Sequence, residues 1–413
     1  MTIVSKDELT QLDARDPLAA YRDLFELPQD VIYLDGNSLG PLPRAVKARV
    51  AEVIENQWGH GLVRSWNLHD WVNLPRKLGD KIASLIGAEA GEVIAADSTS
   101  VNLFKLLSGA LPLRPERRVI VSDIDNFPTD LYMAEGINEL MGAKYELRFV
   151  KTDDVAAAID GDTAVVMLTE VNYRTGARYE MQSITELVHA HGALMLWDLA
   201  HSAGAFPVDL NGCNVDFAVG CGYKYLNGGP GAPAFLFVAK RLQRAIRPVL
   251  SGWFGHAAPF DFAPDYAPAD DLRRMLCGTP AILGLVALDA ALNVFSDVDL
   301  VEVRNKSVAL TETFIRLVED HFAGFGLSLV TPRNPVQRGS QICFSHPYAY
   351  AVMQAVIDRG VIGDFRAPDI LRFGFAPLYL RYSDCWNAAM RLKDVLVTEV
   401  WREPRYAQRN AVT

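Results

Sequence analysis

No run of about 18 consecutive apolar residues occurs in this chain, so no segment reads as a membrane-spanning helix. A membrane partner is not expected. Blocks of Lys or Arg are also missing: 40 basic residues stand against 50 acidic ones, for a net charge of −10. Without a basic stripe to track phosphates, nucleic acid is not an expected partner either. Cysteine is scarce. Cys213, Cys221, Cys277, Cys343 and Cys385 are odd in number, widely spread and without metal-ligand spacing, which argues against a disulfide framework and against a metal centre. A reducing cytoplasm fits best. The opening stretch MTIVSKDELTQLDARDPLAAYRDLFELP has neither an apolar signal core nor the basic amphipathic character of a transit peptide, and internal repeats and low-complexity tracts are absent.

What the chain does have is apolar bulk. Half of its 413 residues are hydrophobic, enough for one large domain with a smaller companion. From Glu116 onward, short β-branched runs alternate with helix-length amphipathic segments: RRVIVSD, YELRFV, AVVMLTEV, ALMLWD, DFAVGC and APAFLFVA read as strands, DLYMAEGINELM and ITELVHAHG as helices. This is the pattern of an α/β fold with a mostly parallel central sheet. After Pro280 the texture changes to longer helical patterns, SVALTETFIRLVEDHFA and CWNAAMRLKDVLVTEVW, around the strands QICFSH and ILRFGF. The division expected is an N-terminal segment over residues 1–45, a large domain over 46–285 and a small α+β domain over 286–413. The turn-rich YLDGNSLGPLP of the first segment suits a loop laid over a site.

Polar groups of particular kinds stand where the strands end, which is where α/β sheets bind ligands. In DFAVGCGYKYLNGGPG, Lys224 follows an apolar strand and precedes glycines that permit close backbone approach. It reads either as a solvated loop lysine or as a partly buried nucleophilic amine. In LMLWDLAHSAGA, Asp198 ends a fully apolar strand and His201 follows three residues on. The aspartate is either a helix cap or the partner of a cofactor's pyridinium nitrogen, with His201 beside the ring. ADSTSVNLFKLL sets Ser98, Thr99 and Ser100 at a helix start, where hydroxyls, free N–H groups and the helix dipole make a phosphate cradle; ordinary capping explains any one of them. DNFPTDLY carries Phe127 and Asp130 around Pro128 at another helix start, with Phe127 either core or stacked on a cofactor.

Taken in order, STS, DNFPTD, WDLAHSAG and YKYLNGGPG resemble the fold-type I pyridoxal-phosphate enzymes. With YLDGNSLG, GLVRSWN, SGWFGH, CGTP and RFGFAPLY added, the sequence resembles the bacterial kynureninases over nearly its whole length. The resemblance implies pyridoxal 5'-phosphate as cofactor, bound to Lys224 as a Schiff base, with Asp198 on the pyridine nitrogen. Phe127, Asp130, Thr169 and His201 would surround the ring. Thr99, Ser100 and Tyr223 would hold the phosphate, with Trp253 and Thr279 reaching it from the second subunit of a homodimer. Tyr223 would relay a proton. An amino-acid substrate would meet Arg372 at its α-carboxylate and Ser38 and Trp66 at its aromatic ring. The family hydrolyses L-kynurenine, or 3-hydroxykynurenine, to an anthranilate and L-alanine.

Arg372 has its own argument, since a guanidinium fork within the apolar ILRFGFAP suits a carboxylate in a desolvated site, although an edge-strand arginine facing solvent would show the same pattern. Trp66 could equally be a packing residue. Transamination and cysteine desulfuration are the rival enzymatic readings, and a pyridoxal-phosphate protein that has lost turnover is the non-enzymatic one. Desulfuration needs an exposed reactive thiol, whereas Cys221 and Cys343 sit in apolar strands.

Overall fold

The computed structural model describes residues 5–410. The chain forms two compact units: one from Ala45–Asn172 and Tyr179–Asn293, the other from Met1–Arg44, Tyr173–Arg178 and Val294–Thr413. Among the described residues no helix is long and apolar enough to cross a membrane.

The larger unit is built on seven strands: β1 (Val93–Ala95), β2 (Val119–Asp123), β3 (Glu146–Val150), β4 (Thr163–Thr169), β5 (Leu194–Asp198), β6 (Phe217–Gly220) and β7 (Phe235–Val238), in the spatial order β1-β7-β6-β5-β4-β2-β3. The pairs β2/β3, β2/β4, β4/β5 and β5/β6 are parallel, and β7 runs antiparallel to both β6 and β1. All but β3 are buried throughout, because helices cover both faces of a parallel sheet and leave no side for polar alternation. The β-branched runs of the sequence are therefore the strands, with a mostly parallel sheet as expected. β1 gave no comparable signal, since three residues between a glycine-bounded turn and a polar loop are too short for periodicity.

Helix α1 (Leu74–Leu85) precedes β1; α2 (Thr99–Ala110) follows it, with Ser98 as N-cap accepting from the Val101 N–H at 3.3 Å. Helix α3 (Pro128–Leu140) begins with proline at its first position, and α4 (Met181–Ala190) packs beside β5. Register aligns Thr169 with Asp198 and Asp198 with Val219 across β4, β5 and β6. The carboxyl ends of these strands therefore share one edge, and the loops after β2, β5 and β6 all leave from it.

In the smaller unit, β8 (Ser328–Leu329), β9 (Gln341–Ser345), β10 (Asp364–Arg366) and β11 (Ile370–Gly374) form an antiparallel sheet ordered β8-β9-β11-β10. The long helices here are Leu300–His321 and Tyr382–Val397. β11 is an inner strand, so Arg372 faces Cys343 of β9 on one side and Asp364 of β10 on the other. Ile32–Tyr33 pair in parallel with Val361–Ile362, and Gly374 N–H donates to the Leu34 carbonyl at 2.7 Å. These bonds lay the DGNSLG loop on the end of β11. A Cβ at Gly374 would overlap the Asn37 amide, so only glycine permits that approach.

Candidate active site

The larger unit gathers Lys224, His201, Asp198, Asp130 and Thr169 at the carboxyl edge of its sheet. Lys224 follows β6 in a loop that must pass close to the chain before β7: a Cβ at Gly222 would overlap the Pro233 carbonyl. Its Nζ lies 3.1 Å from His201 Nε2, 5.9 Å from the centre of the Phe127 ring and 5.8 Å from that of Tyr223. The lysine is not a solvated loop residue; its amine faces the groups that the sequence singled out.

Asp198 is 2 % exposed and accepts from the Ala200 N–H at 2.7 Å. It is a local cap and a buried carboxylate at once, so the two readings of the sequence are compatible. Asp130, 1 % exposed, is hydrogen-bonded to it. Burial raises both carboxyls above the usual range, and the Asp198 charge pushes Asp130 further, well above it. For Asp198 the Lys224 charge, the Ala200 N–H and the bond from Asp130 pull the other way. Thr169 donates to Asn126 and lies 3.4 Å from Asp130. Asn126, buried and also bonded to Ser122 at 3.1 Å, was not singled out in the sequence.

A cavity of about 530 Å³ lies at the start of α2, lined by Ser98, Thr99, Tyr223, Gly278 and Thr279 among others. The positive end of a helix dipole and two threonine hydroxyls suit an anion. Thr279 lines this cavity within the same chain as Thr99 and Tyr223. Asp97 also lines it, and its carboxylate is paired with the buried Lys105, which donates to the Met275 carbonyl at 2.6 Å as well. Ser100 sits in the first turn of α2 but is not among the lining residues. Trp253 is not among them either; it is 37 % exposed and packs against Phe254, Phe260 and Phe262 at 4.7, 5.7 and 5.9 Å. Trp66 packs edge-on against Trp71 at 5.7 Å and against Phe254 at 5.9 Å.

In the smaller unit Arg372 is not an edge-strand arginine facing solvent: its side chain is 1 % exposed. Nε donates to Asp364 at 2.7 Å, Nη2 donates to the same carboxylate and to Ser38 Oγ at 2.8 Å, and Nη1 donates to the Tyr173 carbonyl at 2.6 Å. Ser38, expected at the aromatic ring of a substrate, has its hydroxyl on Arg372 and Asp364. Asp364, directly across the strand pair, carried no sequence signal, because its partner lies eight residues on and only the hairpin register joins them.

Thiol chemistry has little support here. Cys221 and Cys343 are fully buried; burial raises the first and pushes the second up to about 12. Cys277 is raised by burial too.

Full-length comparison decides among the remaining readings. The chain is 55% identical over 414 residues to kynureninase of Burkholderia pseudomallei (strain 1106a), covering 99% of this chain and 100% of that protein. It is 50% identical over 416 residues to kynureninase of Pseudomonas fluorescens, covering all of both. The chain belongs to the kynureninase family. Residues 303–392 match the kynureninase C-terminal domain. Among solved structures, cysteine desulfurase from Thermococcus onnurineus NA1 superposes with a TM-score of 0.77 at 19% identity, covering 92% of this chain and 98% of that one. A lysine-to-alanine mutant of C-DES with glycine covalently linked to the PLP cofactor gives 0.78 at 17% identity, covering 90% and 99%. These likenesses concern the fold, which is that of the fold-type I pyridoxal-phosphate enzymes. As a kynureninase, the chain is a pyridoxal-phosphate enzyme, and its residues fit the group: a buried carboxylate, an amine beside aromatic and imidazole rings, and an anion cradle at a helix start.

Proposed function

We propose that this enzyme hydrolyses L-kynurenine, with 3-hydroxykynurenine as the second candidate, to an anthranilate and L-alanine. One water is consumed and the Cβ–Cγ bond is broken. The observation that carries the reading is the coincidence, in one chain, of full-length identity to kynureninases with the Lys224, His201, Asp198 cluster.

Bound pyridoxal phosphate supplies an electron sink for the pair released at the substrate's Cα. The chain's own groups do the rest. Lys224 holds the cofactor and moves the proton at Cα, and its neighbour Tyr223 relays it. Asp198 keeps the pyridine nitrogen protonated; Asp130 and Thr169 fix that carboxylate, and Phe127 and His201 pack on the ring. Thr99, Ser100 and Tyr223 hold the phosphate, with Trp253 and Thr279 reaching it from the second subunit of a homodimer. Arg372 receives the α-carboxylate and orients the Cα–H bond, while Ser38 and Trp66 border the aromatic ring. The working form in this reading is a cytoplasmic homodimer with shared sites, and its place is tryptophan catabolism or the supply of NAD precursors.

Turnover of both kynurenines in the presence of pyridoxal phosphate, with anthranilate and alanine quantified, tests this. Equimolar anthranilate and alanine are expected. Amino transfer to a keto acid with no anthranilate would overturn it.

A further inference from the structure

Around Arg372 the smaller unit assembles two guanidiniums and two carboxyls, of which the proposed reaction uses only one guanidinium. Arg366 donates to Asp364 Oδ2 at 2.6 Å, and Ser38 Oγ donates to the same oxygen at 2.8 Å while accepting from Arg372. Asn37, with its amide oxygen turned to the guanidinium, accepts from Nε and Nη2 at 3.1 and 3.3 Å. The fourth charged group is Asp35. Its backbone carbonyl accepts from the Ser38 and Leu39 N–H groups at 2.9 and 3.1 Å, which holds it in the same loop as Asn37 and Ser38, the two residues that touch Arg372. Among the described residues, its Oδ1 is buried without a hydrogen-bond partner.

With both carboxyls ionised, two positive and two negative charges cancel and leave no charge for an incoming anion. With Asp35 protonated, one positive charge remains, which matches a single carboxylate. The ligand's approach is also defined, because Asp364 occupies the Nε–Nη2 edge of Arg372. A ligand carboxylate must dock on the Nη1–Nη2 edge, taking the remaining Nη1 N–H and displacing Ser38 Oγ from Nη2, beside the Tyr173 carbonyl.

We propose that Asp35 is the charge-setting residue of this carboxylate subsite, protonated when a ligand carboxylate sits on Arg372 and free to ionise when the subsite is empty. The proposal rests on reading Arg372 as the carboxylate clamp. Binding then takes one proton from solvent, and no covalent bond changes. Burial and the Asp364 charge push the Asp35 carboxyl up to about 7, against the pull of Arg372, Ser38 and Arg366. The other weak acids facing the cluster stay neutral there: burial raises the Tyr33 phenol and the Cys343 thiol, the latter to about 12.

The test is KM and kcat for L-kynurenine on the holoenzyme between about pH 6 and 9, for wild type, Asp35→Asn and Arg372→Ala. Wild-type KM is expected to rise towards about tenfold per pH unit above neutrality, the limit for uptake of one proton, with kcat not following. Asp35→Asn, isosteric with the protonated acid, should lose that rise. The substrate's own amino group titrates alike in both proteins and cancels in their comparison. A flat wild-type profile, or the same rise in Asp35→Asn, overturns the proposal. Arg372→Ala separates it from the clamp reading. If KM is unmoved by Arg372→Ala the clamp itself is wrong, whereas a raised KM there beside matching wild-type and Asp35→Asn profiles sinks Asp35 alone. Should Asp35→Asn not fold, the infrared spectrum of wild type decides: L-alanine added near pH 8 should increase the protonated-carboxyl band, and no increase rejects the proposal.

Discussion

Asp130 and Asp198 are hydrogen-bonded to each other at the buried carboxyl edge of the central sheet. Two buried carboxylates in contact cannot both be ionised. Asp130 is raised further, while Asp198 is supported by Lys224 and the Ala200 N–H, so Asp130 keeps the proton and donates it to Asp198. The pair presents a single negative charge, on the residue that faces the pyridine nitrogen in the proposed mechanism.

Asp198→Asn should therefore lower kcat by on the order of 10²-fold, the equivalent of losing a charged hydrogen bond of about 3 kcal/mol. Asp130→Asn should lose less than about tenfold, because an amide N–H can replace the donated proton. Steady-state kinetics with bound cofactor measured in parallel checks this, and equal losses in the two variants would mean that the proton sits elsewhere.

Lys224 is expected to be the residue that holds the cofactor. Borohydride reduction of the holoenzyme followed by peptide mapping should place the label on the peptide containing YKYLNGGPG, and Lys224→Ala should leave no labelled peptide. A label on Lys105, the buried lysine paired with Asp97 of the cavity lining, would reassign the site.

The parts of this arrangement legible in the sequence are those where one residue breaks a local pattern. Asp198 ends an apolar strand, Lys224 stands between a strand and glycines, and Arg372 interrupts FGF-type apolarity. Strands β2 and β4 to β7 were legible because burial on both faces demands continuous apolar runs. Asp364, Asp35, Asn37 and Asn126 were not, because each acquires meaning only through a partner joined to it by strand register or loop docking. The two-unit division is likewise a property of packing: residues Tyr173–Arg178 belong with the smaller unit although the chain on both sides of them belongs with the larger.

Asp35 also has a consequence for folding, independent of any ligand. Its carboxyl in the folded state is raised to about 7 from 3.8, so between those values the folded protein binds more protons than the unfolded chain. Stability contributed by this group is complete below about pH 4 and is lost as pH rises towards 7, beyond which the loss is constant. Asp35→Asn should accordingly be stabilising relative to wild type by an amount that grows from pH 4 to 7 and then levels off. Denaturant midpoints at several pH values measure this, and a difference that does not change with pH excludes the raised carboxyl.

The geometry of Arg372 makes its substitution informative in a graded way. Because its Nε–Nη2 edge is held by Asp364 and its Nη1 by the Tyr173 carbonyl, the plane of the guanidinium is fixed before any ligand arrives, which is what pre-organises a carboxylate site. Arg372→Ala should lower kcat/KM by about 10²-fold or more, combining a lost charge-assisted pair of about 1.5–3 kcal/mol with misorientation of the substrate. Arg372→Lys should recover little, since one ammonium cannot reach both Asp364 oxygens, the Tyr173 carbonyl and a ligand together. Both variants also leave Asp364 short of its main partner inside the sheet, so a loss of stability of about 3–5 kcal/mol is expected for the alanine and less for the lysine. Cofactor content should stay normal in whatever protein remains folded, because the proposed cofactor contacts involve other residues. Wild-type kinetics in the alanine variant, or cofactor loss without a change in melting temperature, would remove Arg372 from the carboxylate site.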